Sequence, residues 1–91
     1  MKKTFYLNND RRPRIRLIEA YKYEIRKYIK REKNKELPEG YIRWHFTYAF
    51  GFDKKEPSSV ELADLMGYIQ KAEIEADDSF FVEISVRAIK K

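Results

Sequence analysis

The sequence predicts an α+β domain, a two-layer sandwich in which two helices cover one face of a mixed sheet. Two amphipathic helical segments alternate with three strand-like segments, in the order β-α-β-α-β. Each strand-like segment is apolar on one face and mixed on the other, whereas a strand covered on both faces is almost continuously apolar. Both helices are therefore expected on the same side of the sheet. The sequence contains no linker and no internal repeat, so a single domain is expected over residues 1–91.

The first strand is predicted at residues 3–7, because Phe5 and Leu7 alternate with more polar side chains. A polar turn over residues 8–12 follows and leads into Pro13. A proline pushes the preceding residue away from helical angles, while it fits the first turn of a helix itself. The first helix is therefore expected to begin at this proline.

This first helix, predicted over residues 13–35, is the largest element of the sequence. Its apolar side chains recur at steps of three and four and so fall on one face. They are Leu17, Ile18, Tyr21, Ile25, Tyr28 and Ile29. Arginine and lysine crowd the other faces and become denser towards the C-terminal end, where cations complement the negative pole of the helix dipole. Part of the positive charge thus has a structural explanation.

The second strand is predicted over residues 41–52, which is the clearest alternating segment of the chain. A loop over residues 34–40 precedes it and contains Asn, Pro and Gly, which end the helix. Every even-numbered residue from Ile42 to Phe52 is a large apolar one. These side chains are expected to face the helices, and the odd-numbered ones to face away.

The second helix is predicted over residues 58–76. Ser58 and Glu61 form the S-x-x-E pattern of a capping box at its start. The apolar stripe consists of Leu62, Leu65, Ile69, Ala72 and Ala76. Gly67 interrupts this helix at a cost of about 1 kcal/mol relative to alanine, which suggests a close approach of another segment. The last strand is predicted over residues 79–89, where apolar residues again alternate with polar ones.

Several short motifs stand out along the chain. They are Lys3-Thr4-Phe5, the run Tyr28-Ile29-Lys30-Arg31-Glu32, the loop Leu37-Pro38-Glu39-Gly40, Trp44 with Phe46, Gly51, and Val82-Glu83-Ile84. Together they resemble a small bacterial protein family classed as a domain of unknown function. The resemblance implies no assigned activity and no catalytic residues. The predicted order of elements is also similar to the C-terminal domain of translation initiation factor three, a likeness of fold that does not fix function.

The charge of the chain is divided unequally. The net charge is +5, yet residues 1–35 carry thirteen basic against four acidic side chains, and residues 36–91 carry seven against eleven. Such asymmetry marks a surface for an anionic partner, or it lets the two halves of one fold attract each other. The sequence leaves both interpretations open.

The basic first helix is the main candidate for a binding site. The candidate nucleic-acid-binding residues are Arg11, Arg12, Arg14, Arg16, Tyr23, Arg26, Lys27 and Lys30. Basic side chains neutralise phosphates and release counterions, which supplies most of the non-specific affinity for nucleic acids. Tyr23 lies off the apolar stripe, where it can stack on a base or ribose. The pattern favours an accessory protein that binds RNA or another polyanion, although a plain solvated helix face explains the same residues more simply.

The open face of the sheet is the second candidate. Its predicted residues are Tyr6, Arg43, His45, Thr47, Phe81, Glu83 and Arg87. Aromatic and basic side chains on a sheet are typical of single-stranded RNA platforms. A dimer interface, or a face covered by the tail of the chain, explains the same residues more simply, and either suits a non-enzymatic module that binds another protein or a second copy of itself. Homodimerisation is therefore the alternative function.

The residue types needed for catalysis are scarce. The chain has no cysteine, which excludes disulfides, thiol nucleophiles and thiolate metal ligands. His45 is the only histidine, so it is a poor basis for a metal site. As a general base it would need an orienting carboxylate, for which Glu83 is the candidate if the two strands are adjacent. We therefore expect no enzyme, no cofactor and no metal site.

The sequence also predicts a soluble, cytoplasmic protein without a membrane partner. Its longest uncharged run, residues 44–52, is far shorter than the ~20 residues that span a bilayer. The first ten residues contain too few consecutive apolar side chains for a signal peptide.

Overall fold

Four strands and two helices form the part of the chain that the computed structural model describes, residues 1–8 and 11–90. In chain order they are β1 (Lys2–Tyr6), α1 (Arg14–Lys33), β2 (Tyr41–Phe52), β3 (Ser58–Val60), α2 (Leu62–Glu75) and β4 (Ser79–Lys90). The strands make one antiparallel sheet in the order β1-β4-β2-β3. The predicted α+β class is confirmed. The turn predicted over residues 8–12 includes Asn9 and Asp10, which lie outside the described residues.

The predicted order of elements missed one strand. Ser58–Val60 pairs with β2, with Val60 opposite Tyr48, so α2 begins only at Leu62. Glu61 is the residue before that helix, and no side chain makes a capping hydrogen bond at the start of the helix. The pattern formed by Ser58 and Glu61 is therefore not a capping box. The additional strand reverses the chain once more before β4, and every pairing is therefore antiparallel. The prediction of a mixed sheet was wrong for this reason.

The core lies between the sheet and the two helices. β4 is a central strand, and its inward residues Phe80, Val82 and Ile84 are at most 1% exposed. The ring of Phe80 stacks between Phe5 and Phe50, with centroid distances of 5.0 and 5.6 Å. Further buried side chains come from both helices, namely Leu17, Ile18, Ile25 and Ile29 of α1 and Leu65, Ile69 and Ala72 of α2. Burying each large side chain contributes about 1.5–3 kcal/mol, so this single apolar layer dominates the stability of the fold.

The two longest strands extend beyond their neighbours. Residues 85–90 of β4 pair only with β2, which leaves a two-stranded ribbon at one end of the sheet. The register shifts at Ile42, between the pairs Tyr41–Lys90 and Arg43–Ile89. Such a bulge inserts one unpaired residue and breaks the alternation locally. Ile42 is consequently 53% exposed, although its even-numbered position predicted burial.

The close approach predicted at Gly67 occurs at a different glycine. A Cβ atom at Gly67 would meet no atom within 4 Å, so this position in α2 is open. At Gly51, in contrast, a Cβ would lie 2.9 Å from the carbonyl oxygen of Lys55 and 3.3 Å from Cα of Pro57. The β2–β3 turn therefore folds tightly over the end of β2, and glycine is what permits that packing.

Candidate nucleic-acid interface

The C-terminal half of α1 carries a basic surface, which we call the cationic face. It consists of Tyr23, Arg26, Lys27, Lys30, Arg31 and Asn34, which line a shallow depression of about 580 Å³. Steps of three and four residues bring these side chains to one side of the helix. Tyr23 is 67% exposed, and the four basic side chains are exposed as well. The depression therefore combines four cations with one accessible aromatic ring.

The acidic side chains of α1 are engaged outside the cationic face. The carboxylate of Glu24 lies 2.7 Å from Nζ of Lys3, and that of Glu19 lies 3.3 Å from Nζ of Lys22. Glu32 pairs with Lys35 at 2.5 Å, and this hydrogen bond holds the pKa of its carboxyl below the ordinary value. Among the ion pairs of residues 1–8 and 11–90, none reaches the cations of that face. The charge of Arg31 also lowers the pKa of Glu32, so the cations of the face without an acidic partner are Arg26, Lys27 and Lys30.

Arg14 has a role that the sequence did not reveal. Its guanidinium donates hydrogen bonds to the backbone oxygens of Ala76 at 2.6 Å, Asp77 at 2.5 Å and Glu73 at 3.2 Å. It also donates to Oδ1 of Asn8 at 2.8 Å. The last carbonyls of a helix lack partners within it, and Arg14 satisfies two of those at the end of α2, on Glu73 and Ala76. Arg14 therefore fixes one helix to the other and lies apart from the cationic face.

The remaining predicted residues at the start of α1 form a separate group. Arg12 and Arg16 line another depression, of about 420 Å³, together with Ile15 and Glu19. Glu19 lies three residues after Arg16 and four before Tyr23, so an acidic residue separates the two basic regions, and its carboxylate pairs with Lys22. Arg11 is exposed and lines neither depression.

The structure thus brings together four of the eight predicted residues, Tyr23, Arg26, Lys27 and Lys30. Sequence reasoning missed Arg31 and Asn34, although each lies four residues after a predicted lysine and the same helical spacing marks them. Arg31 also packs against the ring of Tyr28, with its guanidinium carbon 5.5 Å from the ring centre.

The open face of the sheet carries the second group of predicted residues, but its strand register separates the proposed acid and base. β2 and β4 are adjacent, as the hypothesis required, yet His45 lies opposite Arg87 and Glu83 lies opposite Ala49. Four residues along a strand correspond to about 13 Å, so Glu83 cannot orient the imidazole. Its carboxylate instead lies 4.0 Å from Nζ of Lys2.

A cleft of about 610 Å³ lies at the other end of that face, beside Tyr6 and Phe81 and the β2–β3 turn. Asp53, the first residue of this turn, accepts hydrogen bonds from the backbone N–H groups of Asp77, Asp78 and Ser79. These bonds hold the pKa of its carboxyl below the ordinary value. Since its oxygens are engaged by the backbone, Asp53 organises the turn. In the described part of the chain, no group of three or more acidic or histidine side chains is arranged to hold a metal ion.

These features define a small α+β domain with an open antiparallel sheet and a basic helix surface. Over residues 1–91 the chain matches a family of unknown function, DUF6172, and it belongs to that family. No curated protein and no solved structure matches it. The likeness to translation initiation factor three therefore has no structural support, and the order on which it rested lacks the observed fourth strand. Neither described helix is long and apolar enough to cross a membrane.

Proposed function

We propose that this protein is an accessory factor that binds nucleic acid, RNA in particular, through the cationic face of α1. The observation that supports the proposal is the division of charge on this helix. Its acids pair with lysines elsewhere, whereas Arg26, Lys27 and Lys30 share one depression without an acidic partner. Clustered cations of this kind neutralise phosphates and gain affinity from the counterions that they displace.

The dimensions of the surface suit a short stretch of phosphate backbone. Tyr23 and Asn34 are eleven positions apart, which corresponds to about 16 Å along the helix axis. Phosphates of one strand lie about 3.4 Å apart along a duplex and farther apart along an extended single strand, so a strand following the helix would pass about three to five phosphates. The four cations of the face fall within that number.

Tyr23 favours RNA among the polyanions. Its ring is 67% exposed and lies among cations, while the aromatic core packs on the opposite side of α1. RNA-binding proteins commonly stack an exposed aromatic ring on an unpaired base. A polyanion without bases, such as polyphosphate, would have no ring on which this side chain could stack.

A salt titration tests the proposal. With fluorescently labelled single-stranded RNA, four phosphate contacts give a slope of log affinity against log salt of about −2.8, which is about 50-fold between 50 and 200 mM. The double substitution Lys27→Ala and Lys30→Ala should halve the slope, to about −1.4. Alanine is a good helix former, so α1 is expected to remain folded.

The matched control is Lys54→Ala with Lys55→Ala, which also removes two positive charges but from the exposed β2–β3 turn. It should keep the slope of the unmodified protein. The proposal fails if no RNA binds at 50 mM salt, or if the control loses as much affinity as the helix variant.

Homodimerisation through the open sheet face stays a prediction. Light scattering over micromolar concentrations measures it directly. A strictly monomeric protein would remove that alternative without affecting the nucleic-acid proposal.

A further inference from the structure

A second concave surface lies on the other side of Arg26 and Lys30, between α1 and α2. We call it the interhelix cleft, and its volume is about 320 Å³. Its apolar floor is formed by Ile29, Leu62 and Met66, and its basic rim by Arg26, Lys30 and Lys33. Arg26 and Lys30 line both this cleft and the cationic face, so they form a ridge between the two.

The composition of the cleft restricts what can occupy it. A wholly apolar ligand would leave the cations of the rim without a counterpart, and a plain inorganic anion would leave the apolar floor exposed to water. An occupant that carries a flat apolar group next to a negative charge satisfies both. A nucleotide has this character, because its base stacks on apolar side chains while its phosphate attracts the rim.

The size of the cleft points in the same direction. Its volume is at the low end of the range for small-molecule sites, about 300–1,000 Å³, which is adequate for one aromatic group. The floor includes Met66, a flexible side chain whose sulfur makes favourable contacts with aromatic rings. Leu62 and Met66 are half-buried, so the floor is accessible and yet continuous with the core.

We infer that the interhelix cleft receives an unpaired base of the RNA whose phosphates lie on the Arg26–Lys30 ridge. This inference rests on the proposed function and adds to it a preference for single strands. In a duplex the bases are paired and stacked, and removing one from the stack costs a few kcal/mol. Tyr23 on one side of the ridge and Met66 on the other therefore contact bases only where the RNA is single-stranded.

The test compares three polyanions at one salt concentration: single-stranded RNA, a blunt-ended RNA duplex with the same number of phosphates, and inorganic polyphosphate. The protein should bind the single strand at least fivefold more tightly than the duplex, since each stacked base contributes at least that factor. Polyphosphate, which has charge and no base, should compete weakly. Equal binding of single strand and duplex, with weak binding of polyphosphate, would overturn the inference and leave the proposed function intact. Equal binding of all three would also remove the preference for RNA, and loss of all binding would overturn both proposals.

The substitution Met66→Gln makes the floor polar while it keeps the length of the side chain and a good helix propensity. It should lower the affinity for the single strand at least fivefold and leave duplex binding and the salt slope unchanged. Ile74→Gln is the matched control, because Ile74 lies on the same helix, is 86% exposed and does not line the cleft. An equal loss in both variants, or an equal loss for single strand and duplex, would contradict the inference.

A measurement on the unmodified protein does not depend on how these variants fold. The chain contains only two methionines, Met1 and Met66, so isotope labelling of methionine methyl groups gives two resonances. Single-stranded RNA should shift the Met66 signal through the ring current of the base, whereas polyphosphate should leave it in place. A Met66 signal that does not respond to saturating single-stranded RNA would overturn the inference.

Discussion

Replacing Asp53 by asparagine tests the carboxylate that ties the β2–β3 turn to the start of β4. Asp53 has a φ angle of 54°, in the left-handed region that few residues other than glycine, asparagine and aspartate adopt readily. Asparagine keeps the shape of the side chain and tolerates this backbone. The substitution Asp53→Asn therefore isolates the negative charge and the acceptor capacity of the carboxylate.

The expected cost follows from three hydrogen bonds. Oδ1 of Asp53 accepts from the N–H of Asp78 at 2.7 Å and of Ser79 at 3.0 Å, and Oδ2 accepts from that of Asp77 at 3.1 Å. An amide has only one acceptor atom, so one bond is lost and the others lose their ionic character. A hydrogen bond to a charged group contributes about 1.5–3 kcal/mol to stability, and a hydrogen bond between neutral groups contributes about 0.5–1.5 kcal/mol. Because water reaches this half-buried site, we expect a net loss of about 1–2 kcal/mol in the free energy of unfolding, or roughly 5–15 °C in Tm.

The dependence on pH gives a second criterion. The hydrogen bonds from the backbone depress the pKa of Asp53 in the folded state below its ordinary value of 3.8. Their stabilisation is therefore fully present above the unfolded pKa and disappears as the pH falls through the folded pKa. The difference between the original protein and Asp53→Asn should be largest near neutral pH and should shrink as the solution is acidified below pH ~4.

Urea unfolding followed by the fluorescence of Trp44, the only tryptophan, measures both effects. Its indole N–H donates to the carbonyl oxygen of Lys35 at 3.0 Å, so the signal reports the packing of the loop after α1 against β2. Equal stabilities at pH 7 would refute the structural role of Asp53. A difference that stays constant on acidification would refute the role of its charge.

Three further substitutions have expected outcomes, each measured by the same urea unfolding. Gly51→Ala should destabilise the protein by about 1–3 kcal/mol, because the new Cβ lies 2.9 Å from the backbone oxygen of Lys55; an unchanged stability would mean that the turn relaxes freely. Gly67→Ala should stabilise it by up to about 1 kcal/mol, since the added methyl group meets open space within α2, and a loss of stability would contradict this. Arg14→Lys should cost about 1–3 kcal/mol, because an ammonium group cannot match the fork that reaches Ala76 and its neighbouring carbonyls; a neutral result would show that water replaces the guanidinium.

The sequence was most informative where a periodic pattern runs over many residues. β2 was predicted with the bounds that it has, because twelve alternating residues leave little freedom of interpretation. β3 was missed because Ser58–Val60 is too short to show any alternation, and it owes its existence to its pairing with Tyr48 and its neighbours. The nearby S-x-x-E pattern favoured a helix at the same place. Local preference thus gave way to a contact made in the folded sheet.

In the candidate site, too, the helical period of the sequence predicts some neighbours, and others depend on tertiary packing. The 3.6-residue period of α1 brings Tyr23, Arg26, Lys27 and Lys30 together whatever the rest of the chain does. The role of Arg14 depends on where the last turn of α2 lies, and no spacing within α1 encodes that position. The interhelix cleft likewise requires Met66 of α2 to lie beside α1, a neighbourhood that exists only after packing.

The strand order has a consequence for how the chain reaches its fold. β4 follows every other element in the chain, yet it occupies the middle of the sheet, and Phe80 lies opposite Phe5 of β1. Bringing such distant residues together closes a very large loop, and domains with many contacts of this kind fold slowly. A growing chain on the ribosome cannot bury the apolar stripes of its helices until β4 has emerged. We therefore expect a nascent chain that ends before Ser79 to be aggregation-prone and dependent on chaperones.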